Sequence, residues 1–314
     1  MDYKDKCYFK VPDERDRKNA IGSLAGVPIK IKKAIQAIQN EFKPIDAPQK
    51  GDWLWDHEEQ GQPYEQYVST YEKRCFNKEN SNTIYIQPLE QNMGFNKDLK
   101  KFCKAFFKDC KVKVRQPIII QDVPTIQRRI NEYTQKLQLN TKDILNYLKT
   151  RLPKDAVCMI GITNTDLYPQ DEWNYVFGQA SLIHAVGVFS FARYMYKNND
   201  MLSNILEDQE TIIYRACKIM VHEISHMFGL RHCIYFKCVM NGCNHQEESD
   251  KSPLELCVIC LRKLQNNIGF SMIERYQDLI EFSKDRTYFS QIDVPIYEKL
   301  KNQIETAYGP HYSK

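Results

Sequence analysis

The sequence predicts a mixed α/β (α+β) fold, a sheet packed with helices, and three observations carry the prediction. Short apolar runs with strand character recur between residues 84 and 192. Segments with apolar residues at helical spacing separate them, and a long helical pattern from about Glu210 to Phe228 stops at Gly229. Strands alternating with helices argue for layers of helix on sheet.

The first 80 residues carry the weakest pattern. Pro28 is placed to open a helix with Ile31, Ala34, Ile35, Ile38 and Phe42 on one face, after which Pro44, Pro48 and Gly51 break regularity. Ile84-Tyr85-Ile86 reads as a short strand, and Asn96 as the cap of a helix burying Leu99, Phe102, Cys103 and Phe106. Lys111–Arg115 alternates as a strand does. Asn140 or Thr141 caps a helix carrying Ile144, Leu145, Leu148 and Leu152, which Pro153 stops. Ala156–Thr163 suits a buried strand, and Tyr175–Ala180 and Ala185–Ala192 read as two more. Beyond Gly229, Ser252-Pro253-Leu254-Glu255 has the form of a capping box with proline at the first helical position. Helices near Met272–Lys284 and Pro295–Ala307 close the chain.

Composition narrows the function. A formal charge of +4, from 44 basic and 40 acidic residues, is too balanced for a nucleic-acid surface, which needs a concentrated basic face. The opening MDYKDKCYFK is charged where a signal peptide is apolar, and the longest apolar stretch, Ala185–Ala192, is far short of a membrane span. Of eleven cysteines, five fall between Cys233 and Cys260. Without a secretion signal such clustering reads as metal ligation rather than disulfides, and a reducing compartment, cytoplasmic or nuclear, is expected.

The chemistry is concentrated in His222-Glu223-Ile224-Ser225-His226-Met227-Phe228-Gly229-Leu230-Arg231-His232. Histidines four apart leave one face of a helix and can share an ion. Glu223, one residue round from His222, can reach a water held there without being a ligand. Gly229 can take the positive φ that ends a helix and returns His232 toward the same point. Three protein ligands leave the fourth position of a tetrahedral zinc open, as hydrolysis requires. The short motif alone arises by chance; Gly229 and His232 make it specific. Unpaired imidazoles on an otherwise apolar helix are costly, and a metal removes that cost. Glu223 is thus expected to be the general base of a zinc peptidase. Tyr168 and Tyr235 are candidates to stabilise the oxyanion on sequence proximity alone.

A second metal site is expected from Cys233, Cys238, Cys257 and Cys260, a CxxC pair with two further thiols, though Cys243 and His245 lie between the pairs and can substitute. Four thiolates close the tetrahedron, so that ion would be structural.

These elements together resemble the archaemetzincins, a family of metzincin zinc metallopeptidases. The long zinc motif runs directly into Cys233, followed by Cys238-Val239-Met240 and then Cys257-Val258-Ile259-Cys260. Gly51-Asp52-Trp53, Gly161-Ile162-Thr163, Asp166-Leu167-Tyr168-Pro169, Trp173–Ser181, Phe189–Arg193 and the stretch from Pro253 to Tyr276 extend the likeness to roughly residues 50–285. Sixteen residues between Met240 and Cys257, about one fewer than the family pattern, and the extra Cys243 are departures that remove no ligand.

The resemblance implies two Zn2+ ions, one catalytic on His222, His226 and His232 with Glu223 as base, and one structural on Cys233, Cys238, Cys257 and Cys260. Met240 would be the methionine beneath the active site. It implies a metzincin-like sheet with a long zinc-binding helix and a C-terminal helical subdomain: an N-terminal extension over 1–80, then a catalytic domain over 81–314, divided at 229/230. It also implies substrate pairing along an exposed edge strand, for which Ala185–Phe191 is the expected segment. Peptide substrates follow, with removal of N-terminal residues from short peptides as the finer expectation; no nucleic-acid or membrane partner is expected. The alternative is a catalytically silent zinc-binding fold acting within a larger protein complex, with residues 1–50 and 285–314 as docking surfaces.

Overall fold

The computed structural model describes residues 7–70, 80–196, 201 and 207–309. The first six residues of the charged opening and residues 71–79, the end of the expected N-terminal extension, lie outside them. The chain packs as two units, one of Met1–Lys73 with Leu230–Lys314 and the other of Arg74–Gly229. Grouping the N-terminal residues with those after 229 differs from the expected extension followed by one catalytic domain.

The N-terminal part of the first unit holds α1 (Glu14–Ile21), α2 (Ile29–Ile38), α3 (Trp53–Asp56) and α4 (Tyr64–Thr70). Asp13 caps α1, its side chain accepting from the Asp16 amide while Asp16 answers in a capping box. Pro28 stands immediately before α2, which buries Ala34, Ile35 and Ile38 as its spacing predicts.

In the second unit, β1 (Thr83–Pro88), α5 (Asn96–Phe106), β2 (Lys111–Val114), β3 (Arg128–Ile130), β4 (Leu137–Asn140), α6 (Thr141–Lys149), β5 (Ala156–Thr163), β6 (Asp166–Tyr168), β7 (Gly178–Ser181), β8 (Val186–Ser190) and α7 (Gln209–Met227) follow in order. Five strands form one sheet in the order β2-β1-β5-β8-β7, and three form a second in the order β3-β4-β6. In the larger sheet β1, β2, β5 and β8 run parallel, while β7 lies antiparallel to β8. Side chains alternate across this sheet. On one face Tyr85, Met159, Val186 and Val188 pack with Ile144 and Leu148 of α6. The other face carries α5 and α7. There Gly187 leaves room for Ile160 and Met227, which an added Cβ would meet at 2.8 and 3.4 Å.

Two expectations about this second unit are corrected. Ala185–Phe191 is not at the edge: β8 is hydrogen-bonded on both sides, to β5 and β7, so the sheet ends on β7. Asn96 is the first residue of α5 rather than its cap; Phe95 occupies the cap position and no side chain caps the helix.

Residues from Leu230 supply the rest of the first unit: α8 (Gln246–Lys251), α9 (Val258–Ile268), α10 (Met272–Ser283), α11 (Thr287–Ile292) and α12 (Val294–Tyr308). Within it α2 packs on α12 and α9, α4 on α9, and α10 on α12. The expected capping box at Ser252 does not form a helix, which begins only after Cys257. Glu255 is instead buried against Arg275, whose Nη1 donates to it at 3.1 Å, and Tyr276, whose hydroxyl donates at 3.3 Å. Buried Leu254 and Leu256 flank it, so the segment is held non-helical by packing that local propensity does not encode. No helix among the described residues is long and apolar enough to cross a membrane.

Candidate active site and metal centres

Helix α7 is the scaffold of the histidine motif. Asp208 caps it, accepting from the Thr211 amide at 2.9 Å, and the helix is buried on most of its circumference. His222 and His226, one turn apart, are half-buried with their Nε2 atoms 3.0 Å apart. Two imidazoles sharing a tetrahedral zinc at bonds of about 2.0–2.1 Å stand roughly 3.3 Å apart, so this pair fits the ion. The helix stops because Gly229 takes φ +85°, with its amide donating to the His226 carbonyl at 2.8 Å.

Glu223 is 7% exposed, and burial pushes its carboxyl up to about 8 from an ordinary 4.5. It lies against β7: a Cβ on Gly178 would stand 2.7 Å from Glu223 Oε1 and 2.9 Å from the Val188 carbonyl oxygen. A glycine on the sheet's last strand therefore makes the space that the carboxylate occupies. Gly178 falls within the stretch Trp173–Ser181, where no local signal marks this role.

His232 belongs to the first unit. Its Nδ1 is 2.7 Å from Glu59 Oε1, which also accepts from the indole nitrogen of Trp53 at 3.0 Å. The Trp53 ring meets the imidazole edge-on, with centroids 4.9 Å apart. Glu58, Glu59, Gln60, Gly61 and Arg231 line an open cleft of about 310 Å³. Tyr235 is buried beside it, its hydroxyl 2.8 Å from where a Cβ on Gly61 would stand. Tyr168, the other oxyanion candidate, is buried in β6 with the Arg129 guanidinium 4.1 Å above its ring, which gives it a packing role.

Cys233, Cys238, Cys257 and Cys260 are all buried, with their sulfurs within 4.8 Å of one another. None of the four is in a disulfide. Cys233 and Cys257 sulfurs are 3.6 Å apart, against roughly 3.8 Å for two thiolates on one tetrahedral zinc at bonds of about 2.3 Å. The Cys257 amide donates to Cys238 Sγ at 3.2 Å. Hydrogen bonds from the other three thiols hold Cys233 low, whereas burial pushes Cys238 and Cys257 up. A cation is what allows four such sulfurs to ionise together, so the donor set fits zinc. Met240 is fully buried, and its carbonyl accepts from the Cys233 amide at 2.8 Å.

Neither alternative ligand belongs to that group. Cys243 is half-buried and stands outside it. His245 caps α8 through Nδ1, accepting from the Glu248 amide at 3.3 Å, with Nε2 3.2 Å from Asp52 Oδ1. Glu248 in turn accepts from the amides of Trp53, at 2.9 Å, and Asn244, at 2.7 Å. Asp52, His245 and Glu248 thus lock α8 to the turn that carries Trp53.

The family model described as Peptidase family M54 matches residues 95–266. Among curated relatives, Archaemetzincin-2 of Mus musculus is 41% identical, over 84% of this chain and 80% of that protein. Archaemetzincin-2 of Homo sapiens is 39% identical over the same shares. Among solved structures, archaemetzincin from Archaeoglobus fulgidus superposes with a TM-score of 0.44 at 28% identity, covering 58% of this chain and 99% of that one. The chain belongs to peptidase family M54, the archaemetzincins, and is a zinc metallopeptidase.

Proposed function

We propose that this chain hydrolyses peptide bonds with one zinc held by His222, His226 and His232 and with Glu223 as the general base. The observation that carries the reading is the pairing, on one helix, of two converging imidazoles with a buried carboxylate set against the sheet's last strand. When bound, zinc supplies Lewis acidity that activates a water and polarises the scissile carbonyl. Glu223 takes the water's proton and later delivers it to the leaving amine. Among the described residues β7 is the last strand in the sheet order, and a substrate backbone can add on its outer side as a further strand. Substrate pairing is therefore assigned to Gly178–Ser181 in place of Ala185–Phe191. Short peptides cut at the N-terminus are the substrate class we assign.

A second, structural zinc is assigned to Cys233, Cys238, Cys257 and Cys260, supported by their burial, free thiols and mutual approach. The free thiols also favour a reducing compartment, cytoplasmic or nuclear.

The test is cleavage of a diverse peptide mixture by the zinc-loaded protein, read by mass spectrometry, with Glu223→Gln as control. Cleavage by the wild type alone supports the reading, and product ends distinguish terminal from internal cutting. Equal activity in both proteins refutes Glu223 as base. Silence in both, with both zinc ions present, points to a zinc-binding fold that serves assembly.

A further inference from the structure

The third histidine of the motif is held by residues far from it in sequence. Glu59 Oε1 lies 2.7 Å from His232 Nδ1 and 3.0 Å from the Trp53 indole nitrogen. Trp53 closes the other side of the imidazole edge-on and is itself packed on His57, with ring centroids 3.9 Å apart. A Cβ on Gly242 would stand 2.5 Å from the Trp53 ring, so the indole is wedged against that loop as well. Beyond Glu59 the strap continues to bind the same turn. Gln62 Oε1 accepts from the Arg231 amide at 3.1 Å, and Gly61, at φ +70°, passes within van der Waals reach of Ile234 and Tyr235. Residues 53–62 all stand outside the 95–266 matched by the family model.

A carboxylate only accepts hydrogen bonds, so His232 must carry its proton on Nδ1 to meet Glu59. The lone pair is then on Nε2. We propose that Glu59 is a positioning residue for the catalytic zinc: it fixes the tautomer and ring orientation of His232, presenting Nε2 as the ligand atom. Trp53 holds Glu59 and the ring in register. The N-terminal segment is thereby part of the metal centre, contributing an outer partner that the His222–His232 motif does not encode. Such outer carboxylates are typically worth 10- to 100-fold in metal affinity. The inference rests on the assignment of His232 as a zinc ligand.

The experiment compares zinc affinity of the full chain by competition with a chromophoric chelator, for the wild type, Glu59→Ala, Glu59→Gln, Glu58→Ala and His232→Ala. The side-chain 15N shifts of His232 are followed in parallel. The expected result is a 10- to 100-fold loss at one of two sites in Glu59→Ala, with the cysteine site unchanged. Glu59→Gln, which keeps the shape and an acceptor oxygen without the charge, falls between and remains folded. Exposed Glu58→Ala matches the wild type. His232 shifts report an Nδ1-protonated ring in the wild type and a tautomeric mixture in Glu59→Ala. If His232→Ala abolishes the weaker site while both Glu59 variants bind zinc as the wild type does, the role of Glu59 is overturned and the zinc assignment stands. If His232→Ala itself leaves both sites intact, the zinc assignment fails.

Discussion

Replacing Gly178 by alanine tests whether β7 sets the position of the Glu223 carboxylate, the proposed general base. The added Cβ would stand 2.7 Å from Glu223 Oε1, 2.9 Å from its Cγ and 2.9 Å from the Val188 carbonyl oxygen. Each contact is several tenths of an ångström too short. The carboxylate is the far end of a side chain and yields first, but the carbonyl belongs to the sheet and yields less. A displacement of Glu223 by about half to one ångström follows, and misplacement on that scale costs on the order of 10- to 100-fold in rate. Overpacking against the sheet adds about 1–3 kcal/mol of destabilisation. None of the three nearest atoms belongs to His222 or His226, so zinc content is expected to stay unchanged.

Gly187→Ala is the matched control. Its Cβ would crowd Ile160 at 2.8 Å and Met227 at 3.4 Å but not Glu223, so it loses comparable stability and keeps its kcat. The assay is kcat and KM on a cleaved peptide, with melting temperature and zinc content measured on the same samples. A folded, zinc-replete Gly178→Ala enzyme with kcat within twofold of wild type refutes the reasoning.

Other expectations follow from burial. Glu223 is raised to about 8 in the folded chain. Its contribution to stability is therefore full below its ordinary value near 4.5 and is lost as pH rises toward 8. Metal-free Glu223→Gln should thus be more stable than metal-free wild type by about 3 kcal/mol at pH 7, at about 1.4 kcal/mol per unit, and equal to it at pH 4. Urea melts at the two pH values check this. Arg275→Met strands the buried Glu255 carboxylate and is expected to cost about 3–5 kcal/mol in denaturant unfolding. Cys260→Ser should lower bound zinc by one equivalent and reduce melting temperature, read by metal analysis and calorimetry.

The site-bearing elements were legible because their signals are local. The 3.6-residue apolar period marks α5, α6 and α7, and the apolar runs mark β1 and β5. The small sheet has no comparable signal, since Arg128–Ile130, Leu137–Asn140 and Asp166–Tyr168 are three or four residues long and mix polar with apolar residues. Helix α8, QEESDK, has no apolar face to read. The exchange of edge and interior roles between β7 and β8 is a property of strand order, which no local pattern encodes. The failed capping box at Ser252 shows tertiary pairing overriding a local signal: Glu255 meets Arg275 twenty residues on. The histidine and cysteine positions were readable from spacing alone. Glu59 was not, because its partner His232 lies 173 residues away in sequence.

The most direct test of a hydrolytic zinc centre is anomalous diffraction at the zinc edge from crystals of the full chain. Two peaks are predicted, one among four cysteine sulfurs and one on His222, His226 and His232 with its fourth position open to solvent. A single peak, or a protein side chain filling the fourth position, would contradict the account.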